Sequence, residues 1–494
     1  MASKLDLNSA SVEKLAGTQS QSDSDDAKPE IDPAAERKLL LKLDLIIYPV
    51  FIVMYMMSFL DRISISNARI QGMVPDLDLV GNRFNIALFV FYVSYVLLEV
   101  PSNIIIKRVR PSLYLSGMTF LWGITSMCMG FVHNYQALVG LRFLLGVFEA
   151  GVLPGIVYVT SMYYKRHELQ RRLSILMLST VLAGAFGGLL AYLITTRLGG
   201  RYGIAGWRWI FIVEGAMTAG FGLVAAFLVI DWPEQTRYLN DAEKELLRRR
   251  LATDGGDVCR MDTLDKPAIR RIVKDYKIWL GGFIYMGITV AGLSAAFFLP
   301  LIIKEFQYTA EESQLRTIPV YVVSAGTMLI AGWASDKLKH RFGFIVLGTV
   351  ISTVGYAMLL AQDGHSREYK FSAVFLILGG TSMNTPMALT WLQNNLSGHW
   401  KRSVGASGQV ALGNLGGIIA SNIFLDSERP HFQTGYGVCL ALIWLSVVLG
   451  LIMEVAMAQE NRKRDAGGRD DRLDLPKDQV ENLGDDHPSF RFTL

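Results

Sequence analysis

Charged side chains, histidines and cysteines are all scarce in the apolar parts of this chain. Only 19% of the 494 residues are charged, 51% are hydrophobic, and the mean hydropathy is +0.31. Soluble domains of this length seldom have such a composition, so we predict an integral membrane protein. The net charge of +4 comes from short basic clusters between apolar runs, which argues against a nucleic-acid partner.

The few residues that usually carry chemistry lie outside the apolar runs or far from each other. All seven histidines fall in loops or tails: His133, His167, His340, His365, His399, His431 and His487. No nucleophile and histidine base can therefore meet inside the bilayer, so we do not expect an enzyme. A phosphate-binding loop is also missing, which leaves ATP-driven transport unsupported, and we expect no cofactor and no metal. Cys128, Cys259 and Cys439 lack metal-ligand spacing and are predicted to be free thiols.

Twelve apolar runs are long enough to span a bilayer, which takes about 20 residues each. They begin near Asp44, Phe84, Leu113, Gln136, Leu173, Trp209, Ile278, Thr317, Gly343, Phe371, Ser403 and Gly435. The longest break, Pro233 to Lys277, divides them six and six. We predict an all-α membrane protein with a disordered cytosolic N-terminal tail (1–40), a six-helix bundle (41–232), a cytosolic central loop (233–277), a second six-helix bundle (278–458) and a cytosolic C-terminal tail (459–494).

The loops on one side of these helices are much richer in Lys and Arg than those on the other. Four short loops, 107–112, 161–172, 335–342 and 396–402, hold 12 such residues in 33 positions, whereas the six opposite loops hold 10 in 72. Since basic loops stay inside, both termini are predicted to be cytosolic, and we expect a multi-pass protein of the plasma membrane. The sequon at Asn395 is then on the wrong side for glycosylation.

The central loop contains a capping-box pattern, Asn240 with Glu243, followed by a basic stretch that ends at Arg250. A short amphipathic surface helix fits this pattern. It is either a tether between the two bundles or a contact with anionic lipid headgroups. The tether is the preferred interpretation, because a basic stretch beside a membrane follows from topology alone.

Two pairs of opposite charges interrupt the apolar runs of the first half. Asp61 and Arg62 are adjacent in helix one, and Arg142 and Glu149 are seven residues apart on one face of helix four. A charge within a membrane segment costs about 2.5–3.5 kcal/mol on insertion scales and normally marks a substrate or ion pathway. The alternatives are an ion pair that only rigidifies the bundle, and a helix one that ends early enough to leave Asp61 and Arg62 among headgroups.

The second half carries neutral polar groups instead. Helices seven to eleven have no Asp, Glu, Lys or Arg in their cores, but present Asn384, Gln393, Asn394, Asn414 and Asn422. Amides can hydrogen-bond a substrate without titrating, although some of them will bond other helices. Asn414, beside the glycines of helix eleven, is the first candidate for substrate binding, and Asn384 is another.

Several motifs resemble the major facilitator superfamily, and within it the anion:cation symporter branch of fungal allantoate, nicotinate and pantothenate permeases. They are Leu60-Asp61-Arg62 with Asn67-Ala68, Glu99-Val100-Pro101-Ser102-Asn103, Arg142 to Pro154, Gly206-Trp207-Arg208-Trp209 with Glu214-Gly215, and Pro488-Ser489-Phe490-Arg491-Phe492. Weak repeats, such as Gly187-Gly188 against Gly416-Gly417, are typical of transporters built from two similar halves.

The resemblance also implies roles for individual residues. Tyr95, six positions before Pro101, matches a cavity tyrosine of bacterial sugar-acid members and is a candidate for substrate binding or for packing. The superfamily's loop motif stands intact after helix eight as Gly332, Asp336, Lys337 and Arg341, which implies a gating latch. After helix two the same loop lacks its Asp. Helix five reads Gly184-Ala185-Phe186-Gly187-Gly188, without the Gly-Pro of drug antiporters, and its glycines are explained by close packing.

The sequence therefore predicts a monomeric secondary transporter that couples uptake of a small organic anion to protons. Arg62 and Arg142 are the candidate anion-binding groups, and Asp61 and Glu149 are the candidate proton carriers. We hypothesise that a carboxylate neutralises an arginine in the empty carrier and releases it to the substrate on protonation. Export of an acidic secondary metabolite and a nutrient sensor that signals through its tails are the alternatives.

Overall fold

Twelve long helices make up most of this computed structural model, which describes residues 32–252, 266–338, 340–397, 399–476, 480 and 483–493. We number them in chain order as α1 Pro33–Ala68, α2 Arg83–Ile106, α3 Pro111–Met129, α4 Tyr135–Ser161 with an interruption at Ala150 and Gly151, α5 Arg166–Leu198, α6 Gly206–Leu228, α7 Tyr276–Glu305, α8 Ala310–Leu338, α9 Phe342–Leu360, α10 Arg367–Asn394, α11 His399–Asn422 and α12 Gln433–Asp465.

By length and hydropathy, nine helices in the described ranges can cross a membrane. The other three, α3, α10 and α11, contain more Gly, Ser, Thr and Asn. The helices start one to eleven residues before the predicted positions, and the largest difference is in α1, which begins at Pro33. Residues 1–31 of the predicted N-terminal tail, and Cys259, lie outside the described residues, whereas Cys128 and Cys439 are free thiols as predicted.

The two halves repeat the same packing. In the first half α1 packs on α5 and α6, α2 on α4, and α3 on α6; in the second half α7 packs on α11 and α12, α8 on α10, and α9 on α12. Each of these four contacts of the first half thus recurs six helices later. The predicted pair of similar six-helix bundles is confirmed.

The halves meet mainly through three helix pairs, α5 with α8, α2 with α11, and α1 with α7, and to a smaller extent through α5 with α10. The glycines of α5 allow the first of these contacts. A Cβ atom at Gly184 would overlap the ring of Tyr321, and one at Gly188 would overlap the hydroxyl of Thr317. Close packing therefore accounts for both glycines, because only a residue without a side chain lets the helices approach this far.

On the predicted external face, polar contacts join the ends of the two halves. Arg69, at the end of α1, donates to Asp426 between α11 and α12 at 2.5 Å, and Phe84 of α2 lies 3.9 Å from its guanidinium carbon. Lys304 of α7 donates to the carbonyl of Ile70 at 2.9 Å. The α1 helix ends here in a π-helical turn, Arg69–Met73, in which Gly72 has φ +99°. These contacts close the external side of the interface between the halves.

On the predicted cytosolic face, the central loop forms the predicted helix, Asp241–Ala252. The capping box is present, because Asn240 and Glu243 each accept the other's backbone N–H. Arg250 is fully buried and donates to Glu36 of α1 at 2.7 Å, and Lys42 of α1 pairs with Glu243 at 2.8 Å. This helix is thus bound to the first half through α1, and the choice between a tether and a lipid contact stays a prediction.

Candidate functional site

An ion pair between α1 and α4 forms the centre of the first half. Arg62 Nε donates to Glu149 Oε1 at 2.5 Å, and the hydroxyl of Ser58, one turn before Arg62, donates to the same oxygen. The carboxylate is completely buried and Arg62 nearly so. Two opposite charges removed from water in this way hold each other strongly, because the low-dielectric surroundings screen them little.

Aromatic rings from α2 cover the Arg62 guanidinium. Its central carbon lies 4.8 Å from the ring centre of Tyr95 and 5.1 Å from that of Phe91. A guanidinium attracts the negative face of an aromatic ring, and the attraction is stronger where water is excluded. The structure therefore brings Tyr95 to Arg62, on the side of the site formed by α2.

Arg142 lies on the same face of α4 as Glu149, but it makes no hydrogen bond to that carboxylate. Its exposed fraction is 2%, and its Nε and Nη2 atoms have no hydrogen-bond partner among the described residues. Glu149 Oε2 is also without a partner there. The carboxylates of Glu149 and Asp61 both attract the Arg142 guanidinium electrostatically. A buried guanidinium with two unused N–H groups can bind a carboxylate through both of them.

Asp61 points away from Arg62, into the space between α1, α3 and α6. It accepts hydrogen bonds from Trp122 Nε1 at 2.9 Å, Ser126 Oγ at 3.0 Å and Thr218 Oγ1 at 2.9 Å. All three donors are neutral, and Asp61 is fully buried. Adjacent residues of a helix diverge by about 100°, which explains why the two charges face different neighbours. A second carboxyl, that of Glu214 on α6, accepts from Ser64 of α1 nearby.

The two amides from the second half lie apart from this cluster. Asn414 Nδ2 donates to Glu99 Oε2 of α2 at 3.4 Å, so this amide bridges the halves. Asn384 Nδ2 donates to Thr349 Oγ1 of α9 at 3.1 Å, which places it between α9 and α10. The space beside the α11 glycines is filled in this conformation, because a Cβ at Gly413 or Gly417 would overlap the ring of Tyr285 or Tyr92.

The loop motif after α8 lies at the predicted cytosolic face. Arg341 Nη2 donates to Asp336 Oδ1 at 2.6 Å, and the Asp336 side chain is 69% exposed. Lys337 Nζ lies 5.2 Å from the ring centre of Trp333, and Gly332 borders open space. These contacts are all within the second half, and the gating role of Gly332, Asp336, Lys337 and Arg341 stays a prediction.

The sequence did not predict which side chains contact the buried charges. Ser58 and Phe91 contact the ion pair, and Trp122, Ser126 and Thr218 hold Asp61. Spacing gave a usable signal for Ser58 alone, since a hydroxyl four residues before Arg62 shares its helix face. The other four are ordinary residues of apolar helices until those helices pack together.

Comparisons with known proteins agree with this architecture. The family model described as Major Facilitator Superfamily matches residues 51–421. An uncharacterized transporter of Schizosaccharomyces pombe is 33% identical over 473 residues, which cover 95% of this chain and 92% of that protein. The high-affinity nicotinic acid transporter of Saccharomyces cerevisiae is 29% identical over 475 residues, covering 95% and 87%.

Solved structures show the same fold at low sequence identity. The xylose transporter XylE from E. coli, in a partially occluded inward open conformation, superposes with a TM-score of 0.62 at 16% identity and covers 82% of this chain and 96% of its own. A bacterial homolog of the human lysosomal transporter Spinster, in an inward-facing conformation, gives 0.61 at 14% identity, with coverage of 85% and 95%.

The superfamily predicted from the sequence is confirmed, and a nicotinic acid transporter among the relatives is consistent with the anion:cation symporter branch. These findings also indicate a transporter and not an enzyme, as predicted. The chain is a multi-pass membrane protein that belongs to the Major Facilitator Superfamily.

Proposed function

We propose that this transporter takes up a small organic anion together with a proton by alternating access. The substrate class is a carboxylate, vitamin or ureide such as nicotinate, pantothenate or allantoate. One observation carries the proposal: Arg142 is buried in the first half with two N–H groups unused. A cation kept in this state inside a membrane protein costs free energy, and binding an anion would recover it.

Proton coupling follows because the Glu149 carboxylate and the substrate carboxylate compete for the same arginines. Glu149 pairs with Arg62 in the structure. A proton on Glu149 would remove this negative charge and leave Arg62 and Arg142 as two cations with no counter-charge on α4. A substrate carboxylate would then replace the lost charge between them, and a carboxylate matches the fork of a guanidinium. Neither proton nor anion would bind well alone.

Asp61 would act differently from Glu149. Because three neutral donors hold it, its charge can persist without a cation in contact. Its charge acts on Arg142 from a distance. We therefore propose that a proton on Asp61 tunes the attraction of Arg142 for the anion, whereas a proton on Glu149 releases Arg62. The rocking of the halves about the α1–α7, α2–α11 and α5–α8 contacts would then carry both ligands across.

One comparison supports an organic anion as the substrate. A relative that covers 95% of this chain is named as a nicotinic acid transporter. The described ion pairs on the predicted external face close that side, so the site would load from the outside only after Arg69 and Asp426 separate. We propose a monomer in the plasma membrane with both termini in the cytosol.

The test is uptake of labelled nicotinate into vesicles that contain the purified protein, with an inward proton gradient imposed. We expect accumulation above equilibrium in the wild type, and equilibration without accumulation in Glu149→Gln. If Asp61→Asn and Glu149→Gln both keep full gradient-driven accumulation, the coupling assignment is wrong. Growth of an uptake-deficient fungal host on a panel of carboxylates would identify the substrate, and loss of preloaded anion without uptake would instead indicate export.

A further inference from the structure

The last described residues of the chain, 483–493, bind back onto the helix ends of the second half. Phe492 and the side-chain amide of Asn461, on α12, exchange two hydrogen bonds of 2.9 Å through the Phe492 backbone. Thr493 does the same with Asn395, just after α10, at 2.7 and 2.9 Å. Trp391 Nε1 of α10 also donates to the Thr493 carbonyl at 3.2 Å. Side-chain amides thus hold this backbone at two successive residues.

A buried cluster of four charges fastens the other end of the segment. Asp485 has an exposed fraction of 0% and lies 2.8 Å from Lys277 Nζ of α7 and 2.7 Å from Lys401 Nζ of α11. Asp275, at the start of α7, faces the same two lysines at 2.9 and 2.5 Å. Two acids and two bases alternate here, so each charge has two opposite neighbours. Removing Asp485 would leave two buried lysines with one acid between them.

Arg464, near the end of α12, donates hydrogen bonds to backbone carbonyls in the part of the segment between Asp485 and Phe492. Its Nη1 donates to the carbonyls of Asp485 and Phe490 at 3.0 Å each and to that of His487 at 3.4 Å. The ring of Phe492 lies 4.7 Å from the Arg464 guanidinium carbon and 4.9 Å from Lys277 Nζ. The same ring belongs to the apolar cluster of Phe342, Met387 and Trp391. The segment is therefore held by hydrogen bonds, ion pairs and apolar burial together.

We propose that residues 483–493 form a C-terminal clasp that makes the cytosolic ends of α7, α10, α11 and α12 move as one unit during transport. Its partners come from all four helices, and they are spread over almost 190 residues of sequence. Two of these helices also meet the first half, since α11 packs on α2 and α7 packs on α1. The clasp thus links the cytosolic helix ends of the second half to α7 and α11, two helices that contact the first half.

The mechanical role has a physical basis in local stability. The ends of helices fray, and a short stretch such as residues 395–397, which follow α10, would open easily on its own. The clasp forms hydrogen bonds with Asn395, directly after α10, and an ion pair with Lys401, near the start of α11. Helix ends held together in this way move with the rest of the second half when the halves rock. Frayed helix ends would instead move independently of it.

Hydrogen exchange of the full-length protein in lipid nanodiscs tests the structural part without any substrate. We expect Asp485→Asn to speed exchange at least tenfold in peptides that cover 391–402 and 483–493, relative to the wild type. Asn461→Ala removes two hydrogen bonds but no charge, and it should also speed exchange in both peptides. It serves as the test variant if Asp485→Asn folds poorly. Asp474→Asn is the matched control, an exposed acid in the same tail, and should change neither peptide.

Two results would overturn the proposal. One is a wild-type segment 483–493 that exchanges as fast as an unstructured peptide. The other is faster exchange of 483–493 in the variants with no change in 391–402, since the segment would then be bound without holding the helices.

The effect on transport rests on the proposed function and is measured separately. In nicotinate uptake, Asp485→Asn should lower the maximal rate at least threefold and leave KM unchanged, because no clasp residue belongs to the cluster around Arg62. A change confined to KM, or no change, contradicts the role in transport. If wild-type protein does not transport nicotinate, the proposed substrate is wrong, and the exchange experiment still decides whether the clasp exists.

Discussion

Arg62 Nε and Glu149 Oε1 lie 2.5 Å apart in the middle of the first half, on helices that are separated by two others in the chain. Each residue is the principal counter-charge of the other, and Ser58 donates to the same carboxylate oxygen. The pair is therefore both a structural link between α1 and α4 and the part of the site where protonation has the largest effect on charge.

Removal of either partner should destabilise the protein more than removal of both. We expect Arg62→Met or Glu149→Gln to cost about 3–5 kcal/mol, because each leaves its partner buried and uncompensated. The double variant should recover a substantial part of this loss. Thermal unfolding in a fixed detergent measures the three variants. Arg83 and Asp78, an exposed pair, are the control, and their double-mutant cycle should give about 0–1 kcal/mol. Additive losses for Arg62 and Glu149 would contradict a direct pair.

Arg142 should discriminate anions from neutral analogues. Because its unused N–H groups would contact the substrate carboxylate, Arg142→Met should raise KM for nicotinate at least tenfold, and Arg142→Lys should recover only part of the affinity, since an ammonium lacks the planar fork. Competition by nicotinate and by neutral nicotinamide in the same vesicles measures the difference. An equal loss for both compounds would indicate a role in folding.

Arg69 and Asp426 should control access from the predicted external face. Loss of this ion pair between the halves should favour opening, so Arg69→Met and Asp426→Asn should each speed labelling of a cysteine placed at Gln314 by a membrane-impermeant maleimide several-fold. The native cysteines are replaced beforehand.

The matched control for this experiment is Asp76→Asn. Asp76 pairs with Arg208 at 3.1 Å on the same face, but both residues belong to the first half. This variant should label at the wild-type rate. Equal acceleration by all three substitutions would show that any disturbed loop opens the face, and that the Arg69 pair has no special role.

Docking of the C-terminal clasp should weaken on acidification. Burial and the nearby Arg464 lower the pKa of His487 below its ordinary value of 6.5. The docked segment therefore binds fewer protons than the released one. Docking becomes less favourable as pH decreases below 6.5. Neutral His487 also accepts the backbone N–H of Ser489 at 3.2 Å, which a protonated ring cannot do.

Exchange protection of 483–493 between pH 7.5 and pH 5, corrected for intrinsic exchange, is the measurement. We expect His487→Gln to remove most of this dependence. Protection that is constant down to pH 5 would contradict the role of His487.

Much of the site followed from helical geometry. Residues 142 and 149 were predicted to share a face of helix four because seven residues make nearly two turns, and both side chains point into the same buried space. Asp61 and Arg62 face different neighbours because adjacent residues of a helix diverge by about 100°. Periodicity gives the direction of a side chain on its own helix, and in these cases that was enough.

Periodicity does not identify the helix that lies opposite. Asp61 was one of two carboxylates expected to neutralise Arg62 or Arg142, but its three hydrogen-bond donors are neutral side chains of α3 and α6. Asn414 and Asn384 were selected for polarity, and in this conformation they bond Glu99 and Thr349. The C-terminal segment carried no apolar run, so nothing in its sequence predicted that Asp485 would be buried between Lys277 and Lys401.

The sequence alone determined the class of this protein: twelve apolar runs, a central break, basic loops on one side and a few charges inside the hydrocarbon are properties of composition and period, which need no tertiary structure. Only the packed helices decided which charges meet, because contacts such as Arg62 with Glu149 and Asp485 with Lys277 join residues that are far apart in the chain. Burial then sets their strength, since a charge loses its hydration only after several helices have closed around it.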